Sequence, residues 1–368
     1  MTTIPHAYGF QLIASKTPLR VCEFSIPDPG ADEVVVEVAG CGVCHTDVDF
    51  AFDGVATRHP LPLILGHEIS GRVVNAGINP GSWRGRSVII PAVIPCGRCP
   101  ACRTGRSTIC RQQFMPGNDG DGGFATHVLV PARELCVVPE TLPEGLTLDM
   151  LCVVADAVTT PYESIHRSGL GPDDVAVIVG AGGVGGFGVQ IAAAMGAAVV
   201  AIDVDRERLE MASQHGAGLV LDSNSMDLKS MKAALRGFSK EAGRKGIGLK
   251  IFEMSGTPAG QISAFGLLDY GAYLAVVGFT PKAIEIRLSN LMAFDATARG
   301  NWGCPPDQYP AAMRLVLEGK VSLAPFVEFH ALEEAPAVLE AVANHSIRRR
   351  AILQPKRGQR SHSLEAAR

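Results

Sequence analysis

The fold is decided by the stretch 175–185, which reads Val175-Ala176-Val177-Ile178-Val179-Gly180-Ala181-Gly182-Gly183-Val184-Gly185. Its first five residues are apolar and predict a buried strand, and the apolar segment 187–195 predicts a helix. Between them the glycines have G-x-G-x-x-G spacing, which permits a tight turn and lets a pyrophosphate approach the backbone at the helix N-terminus. We therefore predict a dinucleotide site at Gly180, Gly182, Gly183, Val184 and Gly185.

A second apolar strand at 198–202 ends at Asp203. An acidic residue at this place accepts hydrogen bonds from an adenine ribose and repels a 2′-phosphate, so the sequence predicts NAD⁺ rather than NADP⁺. A glycine motif alone is weak evidence, because glycine-rich turns are also structural, but strand, helix, second strand and acid together are specific. Further strands at 249–253 and 273–278 predict a doubly wound parallel sheet.

The N-terminal half has a different pattern. Residues 1–40 and 60–95 alternate short apolar runs with proline and glycine, which predicts an antiparallel, barrel-like domain. A chain of 368 residues exceeds one ordinary core, so two domains are expected. Beyond residue 300 the pattern predicts an amphipathic helix at 307–318.

Two segments of this half carry metal-binding side chains: Cys41-Gly42-Val43-Cys44-His45-Thr46-Asp47 and Gly66-His67-Glu68. Thiolate sulfur and imidazole nitrogen are ligands that zinc prefers, so Cys44 and His67 are predicted zinc ligands. A catalytic zinc needs a third protein ligand and one open position. Either residue by itself is more often a buried thiol or a core histidine, but the combination favours a metal site.

A second group of metal-binding side chains consists of Cys96, Cys99, Cys102 and Cys110. Four sulfurs within fifteen residues can wrap one ion, which predicts a closed, tetrahedral structural zinc site. The alternative is a reactive or redox-active pair of cysteines. The glycine-rich segment 115–125 that follows predicts either a ligand-contacting loop or a plain surface turn.

Composition excludes some classes of function. A net charge of −4 gives no electrostatic reason for binding nucleic acid. The N-terminus has no signal-peptide pattern, and the apolar run 175–202 contains glycines and ends in acidic residues, so we expect a cytoplasmic protein that neither spans nor binds a membrane. Ten cysteines in such a chain indicate metal binding or catalysis rather than disulfides.

Together, the C-G-V-C-H-T-D and G-H-E motifs, the four-cysteine cluster and the glycine motif resemble the zinc-dependent medium-chain alcohol dehydrogenases. This resemblance implies an α/β protein with an antiparallel, GroES-like catalytic domain and a doubly wound Rossmann domain for NAD⁺. It also implies two zinc ions per chain, one catalytic and one structural, and a homo-oligomer, either a dimer or a tetramer. The expected divisions are a catalytic domain at 1–157 with a structural-zinc lobe at about 95–112, a Rossmann domain at 158–300, a return to the catalytic domain at 301–354, and a disordered tail at 355–368.

The resemblance also implies roles for individual residues. Asp156 is the third zinc ligand, at a position where the family often has cysteine. Cys152 lies four residues earlier and does not match that position. Thr46 matches the hydroxyl that passes on the alcohol proton, and Asp49 stands where some relatives have a histidine. We read Asp47 and Glu68 as groups that orient the ligands, with Glu68 also able to bind zinc when substrate is absent. The remaining predicted cofactor-binding residues are Arg208, for which a solvated helix charge is an equal alternative, Gly278 and Arg350.

A narrower likeness lies in the segments 115–119, 253–261, 289–295 and 300–306. It implies a member of the family that oxidises an alicyclic alcohol carried as a coenzyme A thioester, in anaerobic benzoyl-CoA degradation. The alternatives are a dehydrogenase of a free small-molecule alcohol or polyol, a zinc-free enoyl or quinone reductase of the same fold, and a non-enzymatic binding protein.

Overall fold

The computed structural model describes residues 4–243 and 248–356. The predicted disordered tail therefore lies, apart from its first two residues, outside the described part of the chain. The first part of the chain is mainly antiparallel. Its elements are β1 (Ile4–Leu12), β2 (Arg20–Ile26), β3 (Glu33–Gly42), α1 (His45–Ala51), β4 (Leu63–Ile64), β5 (Glu68–Ala76), β6 (Ser87–Ile90), α2 (Pro100–Arg103), β7 (His127–Pro131) and β8 (Cys136–Val137).

The second part alternates strands and helices. Its elements are α3 (Thr159–Arg167), β9 (Val175–Val179), α4 (Gly185–Ala194), β10 (Ala198–Asp203), α5 (Arg206–Gln214), β11 (Leu219–Asp222), α6 (Leu228–Glu241), β12 (Lys250–Glu253), α7 (Pro258–Gly266), β13 (Tyr273–Val276), α8 (Ser289–Ala293) and β14 (Thr297–Gly300). The chain then continues through α9 (Tyr309–Leu317), β15 (Val327–Ala331), α10 (Ala335–Ala343) and β16 (Arg350–Gln354).

Strands β9 to β14 form the predicted parallel sheet, in the order β11-β10-β9-β12-β13-β14. This is the doubly wound order, in which the direction of winding reverses beside β9 and leaves a crevice at the carboxyl ends of the strands. Every residue of β9 is buried, as the apolar run at 175–179 predicts. The following helix begins at Gly185, two residues earlier than the apolar pattern alone suggested.

The antiparallel part contains a three-stranded sheet, β2-β1-β4, and a larger sheet in the order β15-β16-β3-β5-β6-β8, with β7 also pairing with β3. The last strands of the chain thus return to the first part, because β16 pairs with β3 through Ile352 and Leu353. The predicted helix at 307–318 is shorter than expected: α9 begins at Tyr309 after a 3₁₀ turn at Pro306–Gln308. No helix in the described residues combines the length and apolar character needed to cross a bilayer.

Candidate active site and metal centres

The N-terminus of α1 positions the first predicted zinc ligand. Cys44 is the N-cap of this helix, and its backbone N–H donates to Asp47 Oδ2 at 2.9 Å. The other oxygen of Asp47 accepts from the backbone N–H of Gly66 at 3.1 Å, immediately before His67. Gly66 has φ +98°, and a side chain there would collide with the Phe124 ring. Asp47 therefore ties the Cys44 segment to the His67 segment.

The side chains of Cys44, His67 and Asp156 meet although they come from three distant segments. Asp156 Oδ2 lies 3.6 Å from His67 Nε2 and 3.8 Å from Cys44 Sγ. Bonds of about 2.0–2.3 Å to a tetrahedral zinc imply separations of about 3.3–3.8 Å between ligand atoms, so these residues fit zinc in both geometry and donor chemistry. Asp156 is held in place by Thr160, whose hydroxyl donates to Oδ1 at 2.5 Å.

The charged side chains of this cluster shift each other's pKa values even without a metal ion. Burial by itself lowers the pKa of His67, but Asp47 and Asp156 outweigh it and hold that pKa well above its usual value. Burial by itself raises the pKa of Asp156, but His67, Thr160 and Arg350 hold it below the usual range. A dication at the centre would take over the role of the imidazolium, since it neutralises the same carboxylate and thiolate.

Glu68 also reaches this centre. Its carboxylate oxygen, Cys44 Sγ, His67 nitrogen and Asp156 oxygen all lie within 4.8 Å of one another. Glu68 is fully buried and accepts a hydrogen bond from Arg350 Nε at 3.0 Å, with a second contact from Arg350 Nη2. Burial raises the pKa of Glu68, and Arg350 opposes that rise.

Thr46 and Asp49 lie farther along α1. The hydroxyl of Thr46 is 3.6 Å from Cys44 Sγ, which places it at the edge of the metal centre. Asp49 is 9% exposed, and burial, followed by the charge of Asp53, raises its pKa to about 7. The structure thus brings Thr46 to the site, and places Asp49 next to a second carboxyl group rather than next to a metal ligand.

The four cysteines of the second cluster also come together. Cys99 Sγ lies 3.5 Å from Cys102 Sγ and 3.7 Å from Cys110 Sγ, and Cys96 Sγ lies 4.0 Å from Cys102 Sγ. A tetrahedral zinc with Zn–S bonds of about 2.3 Å implies S···S separations of about 3.8 Å. Backbone N–H groups, first that of Arg98, lower the pKa of Cys96 to about 6, which favours the thiolate that zinc requires.

The glycine motif lies at the carboxyl edge of the parallel sheet. Gly180 has φ +92°, and a Cβ there would approach Ser255 to 2.5 Å; a Cβ at Gly185 would lie 1.7 Å from the Gly180 carbonyl oxygen. Only glycine fits these two positions. Gly182 and Gly183 are more open, and Val184 is the N-cap of α4. Together they expose the backbone at the start of the helix.

Cationic and acidic side chains surround this loop. The guanidinium of Arg208 lies 3.4 Å from a Cβ placed on Gly182, and Arg350 Cδ lies 3.5 Å from one placed on Gly183. Asp203 Oδ2 accepts a hydrogen bond from the backbone N–H of Ala181 at 2.6 Å, so this carboxylate is bonded directly to the glycine loop. At the end of β13, a side chain on Gly278 would collide with the backbone of Gly256 at 2.2 Å.

Three residues that were not predicted as site residues also lie around the candidate site. His45 stacks on His345 with ring centroids 5.4 Å apart, and burial, then Arg350, lowers its pKa to about 4. Asn301 donates to the carbonyl oxygens of Thr160 and Gly303 at 3.3 and 3.1 Å. Tyr309 donates to the Ala155 carbonyl at 2.5 Å, next to the ligand Asp156. His45 carried a sequence signal through its place in the cysteine motif, and Asn301 carried one through its place in the segment 300–306.

A doubly wound sheet with a glycine loop, beside a Cys–His–Asp centre and a four-cysteine centre, defines a zinc-binding, dinucleotide-dependent dehydrogenase. Residues 30–140 match the alcohol dehydrogenase GroES-like domain, and residues 183–318 match the zinc-binding dehydrogenase domain. An alcohol dehydrogenase of Geobacillus stearothermophilus is 31% identical over 343 residues, which is 92% of this chain and 97% of the relative. The chain therefore belongs to the zinc-type medium-chain alcohol dehydrogenase family.

Other relatives agree with this assignment. Galactitol 1-phosphate 5-dehydrogenase of Escherichia coli K12 is 28% identical over 323 residues, covering 84% of this chain and 88% of the relative. The crystal structure of galactitol-1-phosphate dehydrogenase from E. coli has a TM-score of 0.85 at 26% identity, over 95% of this chain and all of the other. The alcohol dehydrogenase of Aeropyrum pernix has a TM-score of 0.83 at 27% identity, over the same shares.

These findings confirm the predicted family and fold class. They also show an NAD(P)-dependent zinc alcohol dehydrogenase, with two centres compatible with two zinc ions per chain. The zinc-free reductase and the non-enzymatic binding protein are thereby set aside. The roles of the individual residues and the domain boundaries remain predictions.

Proposed function

We propose that the enzyme oxidises 6-hydroxycyclohex-1-ene-1-carbonyl-CoA to 6-oxocyclohex-1-ene-1-carbonyl-CoA with transfer of hydride to NAD⁺, in anaerobic benzoyl-CoA degradation. One observation supports the oxidation of an alcohol: Cys44, His67 and Asp156 come together in one centre. The Glu68–Arg350 pair connects this centre to the glycine loop. The finer proposal about the substrate rests on where the four segments of narrower likeness lie in the fold.

Three of those segments pack around the candidate site. In the segment 115–119, a Cβ on Gly117 would lie 2.7 Å from the backbone nitrogen of Gly66, next to His67. In the segment 253–261, Ser255 packs against Gly180 of the cofactor loop. In the segment 300–306, Asn301 binds the Thr160 carbonyl. The likeness is therefore concentrated near the residues that would contact substrate and cofactor, which supports a shared substrate class.

The chemistry divides between the bound groups and the chain. Zinc, when bound by Cys44, His67 and Asp156, supplies a Lewis acid that lowers the pKa of the substrate hydroxyl, and NAD⁺ accepts the hydride. Thr46 is placed at the edge of the centre to take the hydroxyl proton. Asp47 orients His67 by facing Nδ1 at 3.6 Å. Arg208 and Arg350 offer positive charge to the cofactor pyrophosphate.

We further propose that NAD⁺ is preferred over NADP⁺. Asp203 ends β10 and accepts three backbone N–H groups, from Ala181, Val204 and Asp205, at 2.6–2.9 Å. These bonds hold the carboxylate in place, where its negative charge repels a 2′-phosphate.

The second candidate is oxidation of a free alcohol or polyol. It is favoured by the relatives, whose names are alcohol dehydrogenase and galactitol 1-phosphate 5-dehydrogenase. The two candidates share the zinc and NAD⁺ chemistry and differ only in what surrounds the oxidised hydroxyl.

A substrate panel separates the two candidates. NADH formation is measured with 6-hydroxycyclohex-1-ene-1-carbonyl-CoA, its free acid, 2-cyclohexen-1-ol and galactitol 1-phosphate. We expect kcat/KM for the thioester to exceed that for the free acid by at least about 100-fold, since each lost binding contact costs a factor of ten or more. Equal or higher kcat/KM for the free alcohols contradicts the thioester proposal. Asp156→Ala is the control that should lose activity with every substrate.

We also propose a homo-oligomer, a dimer or a tetramer. Strand β14 is an edge of the parallel sheet, and the nearby apolar side chains of Leu288, Met292 and Trp302 are each more than half exposed. An open sheet edge beside exposed apolar side chains favours pairing with a second copy. Light scattering of the purified chain tests this, and a monomer mass contradicts it. The cytoplasmic location stays a prediction from the sequence.

A further inference from the structure

The carboxylate of Asp156 differs from a cysteine sulfur because it has two oxygens, and both can bind one metal ion. Oδ2 faces the candidate zinc centre, 3.6 Å from His67 Nε2, whereas Oδ1 accepts a hydrogen bond from the hydroxyl of Thr160 at 2.5 Å. A catalytic zinc keeps one coordination position open for the substrate. A second bond from Oδ1 would fill that position, so the groups that fix Thr160 also help to keep it open.

Thr160 is fixed by a residue from the far end of the parallel sheet. It lies in the first turn of α3, where its backbone N–H donates to the Asp156 carbonyl at 2.8 Å. Its own carbonyl oxygen accepts from Nδ2 of Asn301 at 3.3 Å. Asn301 directly follows β14, and its backbone N–H donates to the Val276 carbonyl of β13 at 2.9 Å. The Asn301 amide thus joins the edge of the sheet to the turn that orients Asp156.

The orientation of the Asn301 amide follows from its neighbours. Arg167 Nη1 lies 3.3 Å from Oδ1, and because a guanidinium only donates, the atom that faces it must be the amide oxygen. The NH₂ group then faces two acceptors, the carbonyl oxygens of Thr160 at 3.3 Å and Gly303 at 3.1 Å. Arg167 is itself held by Glu163, whose Oε1 lies 3.6 Å from Nε. The amide therefore has one orientation that satisfies both of its ends.

We propose that Asn301 is a positioning residue for the zinc ligand Asp156 and acts through Thr160. The amide of Asn301 holds the Thr160 carbonyl, and the Thr160 hydroxyl holds Oδ1 of Asp156. Oδ2 is then the one carboxylate oxygen that faces the centre, and the position for the substrate stays open. The inference rests on the proposed dehydrogenase function of this site and adds a residue from outside the ligand motifs to it.

Side chains of the same size as asparagine lack what this place requires. Aspartate keeps an acceptor for Arg167 but turns its other oxygen towards the carbonyl oxygens of Thr160 and Gly303, and two acceptors repel each other. Leucine has no polar atom and offers a bond to neither the Thr160 carbonyl nor the Arg167 guanidinium. Asn301→Asp and Asn301→Leu therefore remove the bond to Thr160 in two different ways. Asn301→Leu adds no charge, so it serves as the test if Asn301→Asp does not fold.

The experiment replaces zinc by Co²⁺, whose visible absorption is stronger in four-coordinate sites than in sites with more ligands. Both Asn301 variants should weaken the absorption of the catalytic centre and lower kcat for NAD⁺ reduction about 10- to 100-fold. The four-cysteine cluster contributes equally to every spectrum, so it cancels in the difference from wild type. Asn224→Asp is the matched control. It removes an amide bond to the Val204 carbonyl at the opposite edge of the sheet and should leave the cobalt spectrum unchanged.

A double variant shows whether Asn301 acts through Thr160. Thr160→Val removes the hydroxyl that holds Oδ1 and should weaken the cobalt absorption in the same way. Adding Asn301→Asp to Thr160→Val should then change kcat by less than about twofold, because the two residues act on one path. Additive effects of the two substitutions overturn the inference, and so does an unchanged cobalt spectrum in the Asn301 variants.

The cobalt spectrum requires no substrate, so it separates this inference from the proposed function. If wild type oxidises none of the alcohols while the Asn301 variants still weaken the absorption, the proposed function is wrong and the positioning role stands. If wild type binds Co²⁺ at the four-cysteine cluster alone, the ligand role of Asp156 and the positioning role of Asn301 are both wrong.

Discussion

Arg350 donates through Nε to the carboxylate of Glu68 at 3.0 Å, and both side chains are buried. Glu68 follows the predicted ligand His67 at the start of β5, whereas Arg350 begins β16 and lies beside Gly183 of the cofactor loop. The glycine at position 42 makes room for this pair, because a Cβ there would lie 2.0 Å from Glu68 Oε2. The pair thus connects the candidate zinc centre to the candidate cofactor site.

The first prediction concerns the stability of this pair. Glu68→Gln removes the carboxylate that is hydrogen-bonded to the buried Arg350 guanidinium, which should cost about 3–5 kcal/mol of stability. The melting temperature measures the loss. The double variant Glu68→Gln with Arg350→Met removes both charges and should recover part of it. If the melting temperature of Glu68→Gln equals that of wild type, the pair does not stabilise the protein.

The second prediction separates the two metal centres. Cys99→Ser removes one sulfur from the four-cysteine cluster and should lower folded yield and the zinc content by about one ion per chain. Asp156→Ala should keep the fold and lose turnover by at least about 100-fold, because only the catalytic centre is affected. Circular dichroism, zinc analysis and NADH formation are compared for both variants. Equal loss of folding in the two variants contradicts the separate roles.

The third prediction concerns choice of cofactor. Asp203→Ala removes the carboxylate next to the loop, so kcat/KM for NAD⁺ should fall. The ratio of kcat/KM for NADP⁺ to kcat/KM for NAD⁺ should rise by about tenfold or more. Asp205→Ala is the matched control, since Asp205 caps α5 by accepting from Glu207 and Arg208. It should cost about 1 kcal/mol of stability without changing the cofactor ratio. Equal use of NADP⁺ and NAD⁺ by wild type refutes the role given to Asp203.

The fourth prediction concerns pH and stability. Glu163 on α3 is buried, and burial outweighs the attraction of Arg167 at 3.6 Å and raises the pKa of Glu163 to about 7. The pKa of Glu163 is higher in the folded protein than in the unfolded chain, so the free energy of unfolding falls as pH rises from about 4.5 to 7. Glu163→Gln should therefore be more stable than wild type at pH 8 by about 1–3 kcal/mol and nearly equal at pH 4.

Denaturation curves at the two pH values test this, with Glu318→Gln as a control of opposite sign. The exposed ion pair with Lys320 lowers the pKa of Glu318, so that substitution should not stabilise the protein at pH 8. A stabilisation by Glu163→Gln that is the same at both pH values contradicts a raised pKa.

Local features of the fold were predictable because their causes are local. The run Val175–Val179 is apolar at every position and forms a strand buried on both faces, and the glycines after it are needed where φ is positive or backbone approaches closely. Errors of one or two residues arose at ends such as that of α9, where a 3₁₀ turn at Pro306–Gln308 competes with the helix.

The metal centres were predictable to different degrees. The four cysteines lie in one short segment, so their spacing already limits them to one loop. Cys44 and Asp156 are 112 residues apart, and the sequence indicated their meeting only through the resemblance of the motifs to a family. Their actual approach depends on Asp47, which holds two segments together, and on Thr160, which orients Asp156.

By itself, then, the sequence determined the parallel sheet, the glycine loop and the side chains able to bind zinc, because periodicity, turn chemistry and ligand type belong to short segments. Only the tertiary structure decided that Arg350 meets Glu68 across 282 residues, that Asn301 holds the carbonyl of Thr160, and that His345 stacks on His45. A contact between distant segments leaves no periodic pattern in either of them. It forms because the packing of the sheets, with their buried apolar cores, carries those side chains to the same place.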